Sequence, residues 1–191
     1  MRFEDTVALA LAAGFFAFVA VSLLLRWTGQ VESEPIAERL SGPRFLLIAL
    51  AFLPMALFEE FIFRWLLIGQ LTRLITLAPA FVISVVLFIV AHRPNARLHY
   101  LTVMNLAAVS VIFGLVYLRW GLWTVTAAHA GWNLAEWGLG YAVSGPKTRT
   151  LLPSPAHREV KGEPFGPEGH WAATVVLLVV LAIFSVTGGK V

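Results

Sequence analysis

The chain has 191 residues, 59% of them hydrophobic and only 13% charged, with a net charge of +3. Soluble domains run at about 45–50% apolar and 25% charged, so this composition excludes an ordinary soluble core, and the basic excess reads as loop charge of a membrane protein, not as a nucleic-acid surface. The absence of cysteine excludes disulfides, a thiol nucleophile and a thiolate metal site, and the sole aspartate, Asp5, excludes a two-aspartate intramembrane site.

The first apolar run, residues 6–25, follows Glu4 and Asp5 and ends in LLLRW without a small-residue cleavage site. It reads as a retained span, not a cleaved signal. Residues 26–44 are polar, and a short interfacial helix is expected after Ser33, with Pro35 early in it. Residues 45–71 form a second span, long enough to tilt, and Pro54 is placed to kink it before Glu59. Pro79 suits the start of a third span over 74–92, leaving 72–78 as a turn. A fourth and a fifth span follow at 99–118 and 122–143. Residues 144–170 carry Pro146, Pro153, Pro155, Pro164 and Pro167. They read as a loop: its length invites a lid or partner role, and a mobile linker is the more ordinary expectation. A last span covers 171–186.

The fold expected is therefore all-α: a polytopic transmembrane helical bundle of about six spans, with a catalytic core of about four helices. Three regions are expected, 1–44 (first span and polar loop), 45–143 (catalytic transmembrane core) and 144–191 (Pro-rich loop and terminal span). With six spans, nine Lys and Arg fall on one side and four on the other, Arg64 lying within the membrane. The positive-inside rule then puts both termini outside the cytoplasm.

Polar groups at membrane depth carry the chemistry. A carboxylate there costs about 2.5–3.5 kcal/mol on the gentlest scales, yet the second span holds Glu59, Glu60 and Arg64. His92 ends the third span, Asn105 lies in the fourth, and His129, Asn133 and Glu136 lie in the fifth. His129 and Asn133 are four residues apart and share a helical face. Glu60 and Arg64 have the same spacing and can pair. Glu59 and Glu60 diverge by about 100° around a helix, so pairing of Glu60 with Arg64 leaves Glu59 to face the histidines. A buried glutamate near histidine suits water activation, and a His and an Asn on one face suit an oxyanion. Asn105 and Glu136 read as structural, Glu136 snorkelling toward the cytoplasmic end.

These residues resemble the CAAX prenyl protease and bacteriocin-processing family of intramembrane glutamate proteases. Glu59-Glu60-Phe61-Ile62-Phe63-Arg64 fits its EExxxR motif, Phe88 to His92 its FxxxH, and His129-Ala130-Gly131-Trp132-Asn133 its HxxxN. The resemblance covers about residues 45–140. It implies a peptide hydrolase in which Glu59 activates water with help from His92, His129 and Asn133 are the oxyanion donors, and Glu60 with Arg64 is a supporting pair. Trp65 departs from the glycine many relatives carry there, so the substrate class does not follow from the resemblance.

The partners expected are a membrane-associated protein or peptide substrate and the lipid bilayer, with no nucleic acid and no cofactor. The setting expected is a bacterial or archaeal cytoplasmic membrane, with the site opening toward the cytoplasm. Two alternatives stay open. Glu59, His92 and His129 are a possible zinc ligand set of a membrane metalloprotease, although HExxH is lacking. The same polar groups could instead lock the helices of a non-catalytic immunity or scaffold protein. Depth raises one difficulty: Glu59 lies about 21 Å along its span at 1.5 Å per residue, whereas His92 sits at the cytoplasmic end of its own. A funnel open to the cytoplasm would reconcile them.

Overall fold

The computed structural model describes residues 2–34, 41–150 and 152–187. Six helices carry the fold: α1 (Phe3–Trp27), α2 (Gly42–Glu60), α3 (Leu77–His92), α4 (Tyr100–Trp120), α5 (Leu122–Gly138) and α6 (Trp171–Thr187). The strands β1 (Val31–Glu34) and β2 (His157–Val160) pair antiparallel, Val31 opposite Val160. The chain is an all-α bundle, as its membrane-length apolar runs predict.

Three helical stretches among the described residues are long and apolar enough to cross a membrane: Phe3–Trp27, Gly42–Arg73 and Tyr100–Trp120. Leu77–His92 and Trp171–Val186 are apolar but shorter. The second stretch changes pitch. After Glu60, Phe61–Gln70 is a π-helix, and Leu71–Arg73 is a 3-10 turn. A π-helix leaves the α-helical hydrogen-bond register, and Ser84 of α3 donates to the Phe63 carbonyl at 2.6 Å. Thr76 precedes α3, and Pro79 lies in its first turn, as expected.

α5 is the axis of the bundle. All but four of its 17 residues are buried, and α1, α2 and α4 pack around it. Protein rather than lipid surrounds it, which explains how one helix tolerates Thr124, Thr126, His129, Asn133 and Glu136. The closest packing is with α1. A Cβ at Gly14 would stand 1.9 Å from the Ala128 carbonyl oxygen, and one at Gly131 would stand 2.1 Å from that of Leu11. Two glycines thus let the two backbones touch, the usual small-residue device of membrane helices. α5 ends at Gly138, short of the expected 143.

Two local expectations change. Residues 31–34, near the expected interfacial helix, form β1; the rest of that helix, residues 35–40, lies outside the described residues. The Pro-rich segment is a packed element rather than a linker. Trp137 Nε1 donates to the Pro153 carbonyl at 3.0 Å, the Arg158 amide donates to Gly140 at 2.9 Å, and β2 pairs with β1. Phe165 is fully buried.

Candidate active site

The site is assembled where α2 passes into the π-helix. Glu60 and Arg64 are fully buried. Arg64 Nε lies 3.1 Å from Glu60 Oε2, a contact of charge and not an aligned hydrogen bond. Arg64 Nη2 donates to the carbonyl and the hydroxyl of Ser110, at 3.4 and 3.3 Å. Its guanidinium carbon also stands 4.6 Å from the Phe88 ring centroid and 5.4 Å from that of Phe113. Aromatic faces are good partners for a buried guanidinium. The Glu60–Arg64 pairing read from the spacing is present.

Glu60 does not turn away from the histidines. Its Oε1 lies 2.7 Å from His129 Nδ1. A carboxylate only accepts, so Nδ1 carries the hydrogen and Nε2 is not engaged by Glu60. Glu60 is thus the node between Arg64 and His129. Glu59 is half-buried, and its Oε2 is buried with no hydrogen-bond donor among the described residues. Arg64, His92 and His129 all lie within electrostatic reach of it.

His92 is placed by its own motif. Its Nδ1 donates to the Phe88 carbonyl at 2.8 Å, and the two rings are 4.4 Å apart. The four-residue spacing lets Phe88 orient the imidazole, with the hydrogen on Nδ1 and the Nε2 lone pair free, while its ring packs on Arg64. This also resolves the difference in depth. His92 ends the 16-residue α3 within electrostatic reach of Glu59, and Phe165 of the Pro-rich segment is ring to ring with His92 at 6.5 Å.

Asn133 is buried one turn along α5 from His129. Trp65 lies on the outward side, part-exposed and stacked on Phe61 at 4.6 Å. Asn105 fastens α4 to the start of α6: Nδ2 donates to the carbonyls of Glu168 (2.8 Å) and His170 (3.1 Å), and Oδ1 accepts from Thr174 (2.8 Å). Glu136 does not snorkel; it is fully buried. Among the described residues no group of three His, Cys, Asp or Glu side chains is arranged to hold a metal ion.

Two neighbours were invisible to spacing. Ser110 holds Arg64 from α4, and an isolated serine in an apolar helix gives no sign of that. Glu168 enters the core from the Pro-rich segment, where Trp132 Nε1 donates to its Oε1 at 3.2 Å. Its only mark in the sequence is an acid between Pro167 and Gly169, just before an apolar run.

The family model described as type II CAAX prenyl endopeptidase, Rce1-like, matches residues 41–135. That stretch holds all three motifs and ends just past Asn133. No curated protein and no solved structure matches the chain. With its motifs, its match and its membrane-length helices taken together, this integral membrane protein belongs to the Rce1-like family of CAAX-type intramembrane endopeptidases.

Proposed function

We propose that the protein hydrolyses a peptide bond of a membrane-associated protein or peptide, using water activated by Glu59 with His92. The observation that carries this reading is the bond between His129 Nδ1 and Glu60 Oε1 at 2.7 Å. It leaves Glu59 as the carboxylate whose buried oxygen has no hydrogen-bond donor among the described residues, and it leaves His129 Nε2 available to substrate.

The charges favour the same division. Glu59, Glu60 and Arg64 sum to −1 if both acids are ionised. A proton on His129 neutralises the set, and burial of uncompensated charge is costly. An imidazolium held by Glu60 has an Nε2–H to donate, which is what an oxyanion needs. Asn133, one turn away, supplies the second donor.

The step balances as follows. Glu59 takes a proton from water with His92 Nε2 accepting a hydrogen bond from it, and the oxygen adds to the carbonyl carbon. The carbonyl π-electrons move to oxygen, where His129 and Asn133 receive them. On collapse the C–N bond breaks, and the proton held by Glu59 goes to the departing amine. The products are a carboxylic acid and an amine, which pass one proton between them to become a carboxylate and an ammonium. The excess of Lys and Arg in the loops at one end supports an opening of this site toward the cytoplasm.

New protein termini in membranes from cells making the wild type, and from cells making Glu59→Gln or His129→Ala, test the reading. The expected result is a set of termini present only with the wild type and unaffected by chelator. Identical sets would overturn it. A non-catalytic role, in which the polar groups only lock helices, predicts that Glu59→Gln preserves function. A zinc enzyme predicts chelator-sensitive cleavage and stoichiometric metal.

A further inference from the structure

We propose that a groove between α1, α4, α5 and α6 binds one acyl chain of a membrane phospholipid, and that the bound chain supports Phe113 against His129. The binding of the chain stands on its own. What its support of Phe113 means for hydrolysis rests on the role proposed for His129.

The groove lies beside the glycine seam of α1 and α5, with a volume of about 390 Å³. Its mouth is where α1 and α5 begin and α4 and α6 end, at Thr6, Thr124, Trp120 and Phe184. Trp120 and Phe184 meet edge to face there at 5.7 Å, and the Arg119 guanidinium carbon stands 5.0 Å from the Trp120 ring centroid. Indole rings gather at the headgroup level of a bilayer. From the mouth the groove deepens toward Val109 and Leu177, and exposure falls along the way, from 58% at Leu9 to 4% at Leu177.

The polar groups of the lining are engaged by the protein. The Thr6 hydroxyl donates to the Arg2 carbonyl at 3.2 Å, that of Thr124 to the Trp120 carbonyl at 3.0 Å, and the buried indole of Trp132 to Glu168 Oε1 at 3.2 Å. A ligand with polar groups along its length would lose its own hydrogen bonds here. The occupant that fits is hydrocarbon.

Its dimensions choose among apolar occupants. Along α1 the lining runs from Thr6 to Ala17, about 16 Å at 1.5 Å per residue. That is the depth of one leaflet, half of a hydrocarbon core about 30 Å thick. Spread over that length, the volume gives a cross-section of about 24 Å². A helix about 10–12 Å across needs about 80–110 Å², so a transmembrane helix of a second copy or a partner is too wide. Between lipid and protein no hydrophobic force acts. An empty apolar slot nevertheless forfeits dispersion contacts along its whole wall, and a chain from the surrounding leaflet restores them.

The groove reaches the candidate site through one ring. Phe113 lines it from α4 and packs on His129 with the ring centroids 5.0 Å apart. The Arg64 guanidinium carbon stands 5.4 Å from the same ring. Ala128 and Trp132 line the groove from α5, on the helical face next to that of His129. Glu60 fixes Nδ1 of the imidazole, and Phe113, backed from the groove, fixes its plane.

Photolabelling of the full chain tests occupancy. The chain is placed in nanodiscs of palmitoyl-oleoyl phosphatidylglycerol doped with the same lipid carrying a diazirine near the acyl terminus. Adducts are expected on Val109, Ile112 or Leu177, which the protein otherwise covers, at least as dense as on Val86 of α3, which is 51% exposed. Ala13→Phe and Val180→Phe, independent variants that each place a ring in the groove, are expected to lower those adducts by about tenfold or more and to leave Val86 unchanged. Nitrogen NMR of the histidine rings reads the support. Adding phospholipid back to delipidated protein in amphipol is expected to shift the His129 signals in the wild type and not in Ala13→Phe. Adducts confined to exposed faces would overturn the proposal. So would adducts in the groove that survive both variants, or that a prenylated peptide displaces, which would give the groove to substrate. His129 signals that ignore the added lipid would overturn the support of Phe113. None of these outcomes depends on proteolytic activity.

Discussion

His129 is held by Glu60 and not by Glu59: Nδ1 stands 2.7 Å from Glu60 Oε1, while the other Glu60 oxygen faces Arg64 at 3.1 Å. The adjacent acids therefore differ in kind. One is locked between two partners in the interior. The other is half-buried with one buried oxygen that no donor among the described residues satisfies.

That difference separates their glutamine variants. Glu59→Gln is expected to leave thermal stability within about 0.5 kcal/mol of wild type, as substitutions that break no bonded partner do, while hydrolysis falls by about 10²–10⁴, the worth of a general base. Glu60→Gln is expected to lower both, because the charge that balances Arg64 and orients His129 is gone. Thermal unfolding and terminus counting on the same preparations separate the two; an active, stable Glu60→Gln would contradict the assignment.

Arg64→Met is expected to be the most damaging change at the site. It strands Glu60 in the interior with its cation gone, a loss of about 3–5 kcal/mol for a broken buried pair. Arg64→Lys is expected to recover only part. An ammonium is a point charge without the planar fork that reaches Ser110 and Glu60 together. Denaturation in mild detergent gives the order wild type, Lys, Met, and a Lys variant as stable as wild type would refute it.

Gly131→Val is expected to force α1 and α5 apart, since even the first side-chain carbon would stand 2.1 Å from the Leu11 carbonyl. Overpacking of this kind costs about 1–3 kcal/mol, here between two backbones that cannot rotate out of the way. A single cysteine in place of Ser22, 2% exposed on α1, in a chain that has none of its own, would report the separation through faster labelling. Unchanged labelling and stability would show that the seam is looser than described.

Asn105→Leu removes the donor to Glu168 and His170 and the acceptor for Thr174. Two buried carbonyls lose a partner, at about 1–3 kcal/mol each. Limited proteolysis after Arg158 or Lys161 is expected to accelerate at least tenfold while the core fragment stays resistant. Equal cleavage rates in both proteins would count against the clamp.

Much of this was legible before any coordinates. The six helices appear where the apolar runs lie, because a chain in lipid must satisfy its backbone internally and helices do so. The Glu60–Arg64 pair followed from a spacing of four. The FxxxH spacing hid more than it showed: Phe88 serves His92 with its carbonyl and Arg64 with its ring, and neither is visible in a motif. The direction of Glu60 was misread because helical angles relate neighbours on one helix and say nothing of which neighbour meets α5. The π-helix after Glu60 shifts that geometry further. Glu168 and the docked loop were out of reach, since a Pro-rich stretch has no period from which to infer its partners.

The glycine contact between α1 and α5 has a consequence for traffic. A seam in which backbone lies on backbone offers no crevice to widen, so that flank of the bundle is a fixed wall. A substrate sliding in from the bilayer must find a movable one. α2 carries Glu59, buries only Phe52, Ala56 and Glu60, and contains Pro54 one turn from the acids. On the reading of Glu59 proposed above, an outward swing of this helix would open the way to the carboxylate at the loss of few buried side chains.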